Sequence, residues 1–217
     1  MFGFRIFCYF CCFSIVAPGA WALSSQELSK VTISNETGKT LKYLFTSPSD
    51  SNIWGPDLLG ARALKYGGVG SYYIHYPGNK ARFDLLALDT LNDAYLVQAL
   101  LVIEGQDTVV KIGRIQYIGP YRNLKISHVY VTNVSKHSFS YLFFSPEESD
   151  SWGFDILTDT STLEPGESIS FSVPVGKKSQ RYEILALSRE QAIVQRQVVL
   201  SEDVPQIYID FTISDLH

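Results

Sequence analysis

The sequence predicts an all-β protein of two tandem antiparallel β-sandwich domains of immunoglobulin-like type, related by internal duplication. Three observations support this fold class. The second half of the chain repeats the first, short apolar runs alternate with polar residues, and no long amphipathic helical pattern occurs. The chain of 217 residues is long enough for two small domains with separate cores.

The internal repeat covers nearly the whole chain. Residues 31–35 (Val-Thr-Ile-Ser-Asn) match residues 129–133 (Val-Tyr-Val-Thr-Asn), and residues 83–88 match residues 182–187. Two repeats are too few for a solenoid, so each copy is expected to fold around its own core. The predicted organisation is a signal peptide (1–22), a first sandwich domain (23–113), a linker (114–126) and a second sandwich domain (127–217).

The amino terminus has the order of a signal peptide. Arg5 precedes an apolar run at residues 6–16 that is too short to span a bilayer, and residues 20–22 (Ala-Trp-Ala) form a cleavage pattern. We therefore expect a periplasmic or secreted bacterial protein with no transmembrane span in its mature chain. Lipid attachment to a cysteine of this segment is the rival interpretation. The chain's three cysteines all lie there, at Cys8, Cys11 and Cys12.

Composition excludes several functional classes. The net charge of −4, without a long basic stripe, argues against nucleic acid as a partner. Loss of the signal peptide would remove every cysteine, which excludes disulfides and thiolate metal sites from the mature chain. The hydrophobic content of 46% indicates a globular protein.

Alternation with a period of two predicts the strands. Leu41, Tyr43 and Phe45 are expected to share one strand face. Residues 94–103 could form a helix, but the alternation at residues 193–200 in the other copy favours a strand for both. Asn35 and Asn133 lie in formal glycosylation sequons, although in an exported bacterial protein we expect them to end strands with Asx turns.

One motif distinguishes this sequence. Residues 47–59 and 145–157 share the pattern S-P-x-x-S-x-x-W-G-x-D-(L/I)-L. The pattern resembles that of an uncharacterised family of small secreted bacterial β-sandwich domains. The resemblance implies fold and export, and it implies no mechanism. The central motif residues are Trp54, Gly55 and Asp57 in the first copy and Trp152, Gly153 and Asp155 in the second.

The motif is expected to have an architectural role. Proline ends the strand, each tryptophan is expected to anchor a core, and each aspartate is expected near the start of a short helical turn. Calcium binding is the alternative, because aspartate oxygens are suitable ligands. Their order does not match an EF-hand loop, so no cofactor is predicted. The candidate calcium ligands are Asp50, Asp57, Asp150 and Asp155.

A tyrosine cluster offers a candidate ligand site in the first copy. Tyr72 and Tyr73 are adjacent on a predicted strand, so one ring must face away from the core, and Tyr76 follows them. Such an exposed aromatic edge would suit a sugar ring or a protein partner. The alternative is an ordinary strand with one half-exposed ring.

No catalytic motif occurs in the sequence. The HExxH and GxSxG patterns are absent. We therefore predict an exported envelope protein with a non-catalytic binding role, whose partner is an unidentified protein or glycan. The alternatives are a calcium- or glycan-binding module, or an enzyme with an interdomain site, because carboxylate pairs are assembled in space and not in sequence.

Overall fold

The structure is a computed structural model that describes residues 28–157, 161–188 and 192–212. The predicted signal peptide (1–22) and the lipidation alternative at its cysteines lie outside the described residues. Within the described ranges the chain is nearly all β, as predicted, and contains no α-helix. No helix in this part of the chain is long and apolar enough to cross a membrane. We use first half for residues 28–125 and second half for residues 126–212.

Strands follow one another in a similar order in the two halves. Those of the first half are β1 (Ser29–Glu36), β2 (Leu41–Pro48), β3 (Val69–His75), β4 (Lys80–Asp89), β5 (Asp93–Ile103), β6 (Thr108–Gly113) and β7 (Tyr117–Pro120). Those of the second half are β8 (Ile126–Asn133), β9 (Phe139–Pro146), β10 (Gly153–Phe154), β11 (Ser168–Pro174), β12 (Gln180–Ser188), β13 (Ile193–Leu200) and β14 (Gln206–Phe211). β5 and β13 confirm the strand prediction for the two ambiguous segments.

Each half contributes two sheets. Those of the first half have the orders β3-β1-β6, to which β10 of the second half is added beside β3, and β2-β4-β5-β7. Those of the second half have the orders β11-β8-β14 and β13-β12-β9. Most neighbouring strands are antiparallel, but β1 pairs with β6 and β8 with β14 in parallel. The predicted antiparallel sheets therefore also contain one parallel strand pair in each half. A parallel pair needs a long connection, and most of a half separates each of these pairs.

Neighbouring side chains of β2 belong to two different clusters. Leu41 and Leu44 lie in the core between the sheets, whereas Tyr43 and Phe45 lie in a cluster on the outer face of β2 and β4. The pairing with β4 shifts between Leu41 and Tyr43, which leaves Lys42 in a β-bulge. The predicted common face for Leu41, Tyr43 and Phe45 is wrong, because an extra residue inverts the alternation that follows it.

The strand ends at Asn35 and Asn133 form the expected Asx turns. Asn35 is fully buried, and its Oδ1 accepts the backbone N–H of Thr37 at 3.0 Å. Its Nδ2 donates to the carbonyls of Lys39 (2.8 Å) and Leu64 (2.7 Å). Asn133 is bound in the same way in the second half. Both amide groups are therefore committed to the fold.

The segment predicted as a linker forms part of the first half's sheet. A single 3-10 turn (Arg114–Gln116) leads into β7, which pairs with β5. Tyr121 and Leu124, which follow β7, pack on the outer cluster of the first half. By contrast, Leu28, which precedes β1, packs on the outer cluster of the second half.

The motif of each half also crosses to the other half. The N–H of Asp57 donates to the carbonyl of Ser172 on β11 at 2.8 Å, and the N–H of Asp155 donates to the carbonyl of Tyr73 on β3 at 2.9 Å. β10 also pairs with β3. Tyr73 and Ser172 occupy matching positions of the repeat, so the exchange is reciprocal.

Side chains follow the same crossing as the backbone. Phe154 of the second half is 2% exposed and lies in the first half's core, with its ring 5.7 Å from that of Phe83. Ile53 of the first half packs against the second half's core. The Tyr182 hydroxyl donates to the carbonyl of Trp54 at 3.1 Å. Each core therefore includes a residue of the other half, and we infer that the two halves unfold together.

We expect Phe154→Ala to lower the free energy of unfolding by about 3–5 kcal/mol, the usual loss when a buried phenylalanine is replaced by a cavity. Because the ring lies in the other half's core, the loss should appear in one transition of the whole chain. Urea unfolding followed by tryptophan fluorescence and far-UV circular dichroism measures both quantities.

Phe171→Ala is the matched control, because this ring lies in the core of its own half. It should shift the same single transition. Two resolved transitions, of which Phe154→Ala moves only the one belonging to the second half, would contradict the shared-core interpretation.

Candidate functional site

A buried carboxylate holds each motif in place. Asp57 is 1% exposed, and its Oδ1 accepts the N–H groups of Leu44 (2.9 Å) and Leu59 (3.1 Å). Asp155 accepts the matching N–H groups of the second half at 2.8 and 3.0 Å. Asp57 forms a β-bridge with Phe45, so an extended residue replaces the short helical turn expected there.

The motif tryptophans do not anchor the cores between the sheets. Trp54 and Trp152 are half-buried, and each packs on the outer cluster of its own half. The prediction of a core anchor is therefore wrong in its location. Trp54 belongs to the same outer cluster as Phe45, which follows the bulge in β2 and faces away from the core between the sheets.

The two motif glycines serve different backbone needs. The N–H of Gly55 donates to the Thr46 carbonyl at 2.7 Å, and a Cβ at Gly55 would lie 2.9 Å from that oxygen. Gly153 has a φ of 75°, in the left-handed region where side chains are strained. Both glycines therefore fit the structural role that the sequence predicts.

The candidate calcium ligands do not form a common site. Asp50 and Asp150 are exposed, whereas Asp57 and Asp155 are buried and accept backbone N–H groups. Within the described ranges, no group of three or more histidine, cysteine, aspartate or glutamate residues is placed to hold a metal ion. The calcium alternative therefore has no ligand set in this part of the chain.

Asp57 carries an unusual electrostatic cost. Burial raises its pKa from 3.8 to about 6, although the N–H groups of Leu44, Leu59 and Gly60 lower it. Its Oδ2 has no hydrogen-bond partner among the described residues. Desolvation therefore outweighs the backbone donors, and ionisation of Asp57 destabilises the folded chain.

The structure buries two of the three predicted ligand-site tyrosines. Tyr72 and Tyr76 are 7% and 5% exposed, and the Tyr76 hydroxyl lies 2.8 Å from Oγ of Ser29. Tyr73 is half-buried, with its ring edge-on to that of Tyr141 at 6.1 Å. The expectation of an exposed edge is wrong for Tyr72 and Tyr76, because alternate positions from residue 72 to 76 face the core.

Gly70 lies at a pocket beside the first half's core. The cavity has a volume of about 270 Å³. The matching position of the second half is Ile169, whose side chain packs against the second core. In the first half the ring of Tyr72 lies over the glycine, so that a Cβ at Gly70 would be 2.7 Å from the tyrosine hydroxyl. The pocket is lined by Leu58, Leu59, Arg62, Ala63, Leu64, Val69, Gly70, Ser71 and Tyr72.

Two polar groups of the pocket are available to a ligand. Neither the Arg62 guanidinium, which is exposed, nor the Tyr72 hydroxyl has a hydrogen bond or ion pair with another described residue. Burial raises the pKa of Tyr72 to about 12, and the nearby Asp57 charge contributes to the shift. The hydroxyl is therefore a neutral donor at pH 7. The sequence analysis named Tyr72 as a candidate ligand residue, but it missed Arg62 and Gly70. The pairing of Gly70 with Ile169 was a signal for the pocket.

A second exposed feature lies on the outer face of the sheet β11-β8-β14. The rings of Tyr130 and Tyr208 stack with centroids 4.9 Å apart, and Tyr208 is 68% exposed. His128 and Gln206 form the neighbouring cross-strand pair. Thr32 and Val109 pair at the matching place of the first half, so the stacked rings are specific to the second. The sequence analysis did not single out this pair.

Comparisons with known proteins add no family. No family model matches the chain, and no curated protein matches it in sequence. Among solved structures, the chain is similar to the Bacillus anthracis TIE protein at 8% identity and a TM-score of 0.27. The aligned region covers 86% of this chain and 34% of that protein, so the chain spans about a third of its length.

Two further solved structures show equally distant similarity. A candidate adhesin from Bacteroides ovatus aligns at 7% identity and a TM-score of 0.27, covering 87% of this chain and 91% of that one. A family 26 carbohydrate-binding module from Eubacterium rectale, solved with maltoheptaose, aligns at 7% identity and a TM-score of 0.23, covering 85% and 91%. TM-scores this low carry no argument about fold or function.

The raised pKa of Asp57 predicts a pH-dependent stability. The folded chain holds the Asp57 proton more tightly than the unfolded chain does. The resulting contribution to the free energy of unfolding is fully present below pH 3.8 and is lost as the pH rises from there through about 6. A shift of about two units corresponds to about 3 kcal/mol. Asp57→Asn keeps the Oδ1 acceptor without titrating. It should therefore gain up to about 3 kcal/mol relative to the wild type between pH 4 and pH 7, measured by urea unfolding.

Asp50→Asn removes an exposed carboxylate and is the control. The difference in free energy of unfolding between Asp50→Asn and the wild type should change little between pH 4 and pH 7. If the difference in free energy of unfolding between Asp57→Asn and the wild type is the same at pH 4 and at pH 7, then Asp57 does not cause the pH dependence.

Proposed function

We propose that this chain is an exported, non-catalytic binding protein of a bacterial envelope, with its ligand site in the pocket beside Gly70. In this proposal the two halves are immunoglobulin-like sandwiches that arose by duplication. They belong with the small secreted bacterial domains that share the motif. Export is proposed from the amino-terminal sequence alone.

One observation carries the proposal: the two halves differ in the residues that form the pocket. Gly70 and Tyr72 stand where the second half has Ile169 and Phe171. By contrast, the buried aspartates of the motif have the same backbone contacts in both halves. The two halves thus share a framework, and the first half has a partly polar cavity at positions where the residues differ. This combination is expected if a binding site was added to one copy of a duplicated fold.

The packing between the halves favours binding over the interdomain-enzyme alternative. The ring of His75 lies 6.2 Å from that of Phe143, and that of Tyr73 lies 6.1 Å from that of Tyr141. Phe154 fills space in the first half's core. Side chains from both halves thus occupy the junction where such an enzyme would need a cleft.

Glycan binding is the second candidate function, and the Tyr130–Tyr208 pair supports it. An exposed ring beside hydrogen-bonding groups such as Gln206 and His128 suits the apolar face and hydroxyl rim of a sugar. This surface replaces the buried Tyr72 and Tyr76 as the place to test the glycan alternative.

We expect the double variant Gly70→Ile with Tyr72→Phe to lose a bound compound that the wild-type chain retains. The variant gives the first half the residues of the second, which should fill the pocket and remove its hydroxyl. The measurement is mass spectrometry of small molecules that co-elute with the protein after incubation with a low-molecular-weight extract of bacterial envelopes. Circular dichroism checks that the variant is folded.

Tyr208→Ala is the control, because Tyr208 is exposed on the second half and does not line the pocket, and this variant should retain the same compounds. Equal retention by the wild type and the double variant would show that the pocket is not the binding site. Loss of retention in Tyr208→Ala alone would favour the glycan alternative.

A further inference from the structure

Resting on the proposed pocket function, we infer that the pocket takes a small amphipathic anion, an acidic group carried on a short apolar body. The inference combines the charge at the pocket, the apolar lining and the tyrosine hydroxyl. The second half lacks a match for Arg62 and for the Tyr72 hydroxyl, whereas the apolar lining is shared in part, since Leu59 and Leu64 match Leu157 and Leu163.

The charge comes from Arg62. Its side chain is exposed, lines the pocket and has no ion pair within the described part of the chain. The matching segment of the second half, residues 158–162 (Thr-Asp-Thr-Ser-Thr), has no basic residue in its sequence. A planar guanidinium without a partner is suited to bidentate recognition of a carboxylate or phosphate.

The apolar part of the ligand is set by the rest of the lining. Leu58, Leu59 and Leu64 are nearly buried core residues that also line the cavity, and Val69 is 61% exposed beside them. A volume of about 270 Å³ lies just below the range of pockets that enclose drug-sized ligands. The site therefore fits a short aliphatic or aromatic group, or the end of a longer chain.

The Tyr72 hydroxyl supplies a directed hydrogen bond. Its position depends on Gly70, since a side chain there would overlap the ring. The nearby Asp57 carboxylate would repel an anion. However, Asp57 is 1% exposed and does not line the cavity, and its Oδ1 accepts two backbone N–H groups. An acid entering the pocket therefore meets the exposed Arg62 and the neutral Tyr72 donor.

The test is a calorimetric titration of the mature chain with octanoate, using octanol and octylammonium as uncharged and cationic matches. We expect octanoate to bind more tightly than either match. Arg62→Gln should weaken octanoate by about tenfold or more, the usual value of a charge-assisted contact, and should leave octanol binding unchanged. Arg62 is exposed, so this variant is expected to fold. Arg62→Lys should retain part of the affinity, because it keeps the charge without the planar fork.

The outcomes separate this inference from the proposed function. The anion assignment would be overturned if octanoate did not bind, or if octanol or octylammonium bound equally well. It would also be overturned if Arg62→Gln left the affinity for octanoate unchanged. The proposed function would still stand if envelope compounds were lost from the double variant at Gly70 and Tyr72. It would fail separately if that variant retained them.

Discussion

A buried aspartate that accepts two backbone N–H groups is the constraint on which the rest of the structure depends. Through Oδ1, Asp57 and Asp155 fix the start of the segment that leaves each motif. They also bind a strand of their own half. The backbone N–H of each aspartate donates to the other half. The carbonyl of Ser172 accepts from Asp57, and that of Tyr73 accepts from Asp155. Desolvation of Asp57 opposes this arrangement, because burial raises the pKa of its carboxyl more than the backbone N–H donors lower it.

This reciprocal crossing explains why the halves share their framework and differ at their surfaces. Phe154 completes the first core and Ile53 packs on the second, so changes near the motif affect both halves. Positions farther along β3 and β11 are free of that coupling, and there Gly70 and Ile169 differ. Gly70 can therefore take part in a pocket of the first half, at a position where the second half has the larger Ile169.

The sequence predicted most strands, because alternation is a local pattern. The duplication stays a prediction from the sequence repeat. Sequence reasoning failed at Lys42, because a bulge depends on pairing across the sheet and inverts the faces after it. It also misplaced Trp54, which packs on the outer cluster together with Phe45. The role of Asp57 was partly predicted, but the carbonyl that its N–H reaches is far away in sequence. Gly70 was visible only by comparison with Ile169.

Native-state hydrogen exchange of the Asp57 and Asp155 amides tests the interlocked fold most directly. Each amide donates to the other half, so both should exchange only through global unfolding. We predict that both amides show the same free energy of opening as the amides of the central strands β4 and β12. Exchange of either amide at a much lower free energy, with each half keeping its own protected core, would contradict the account.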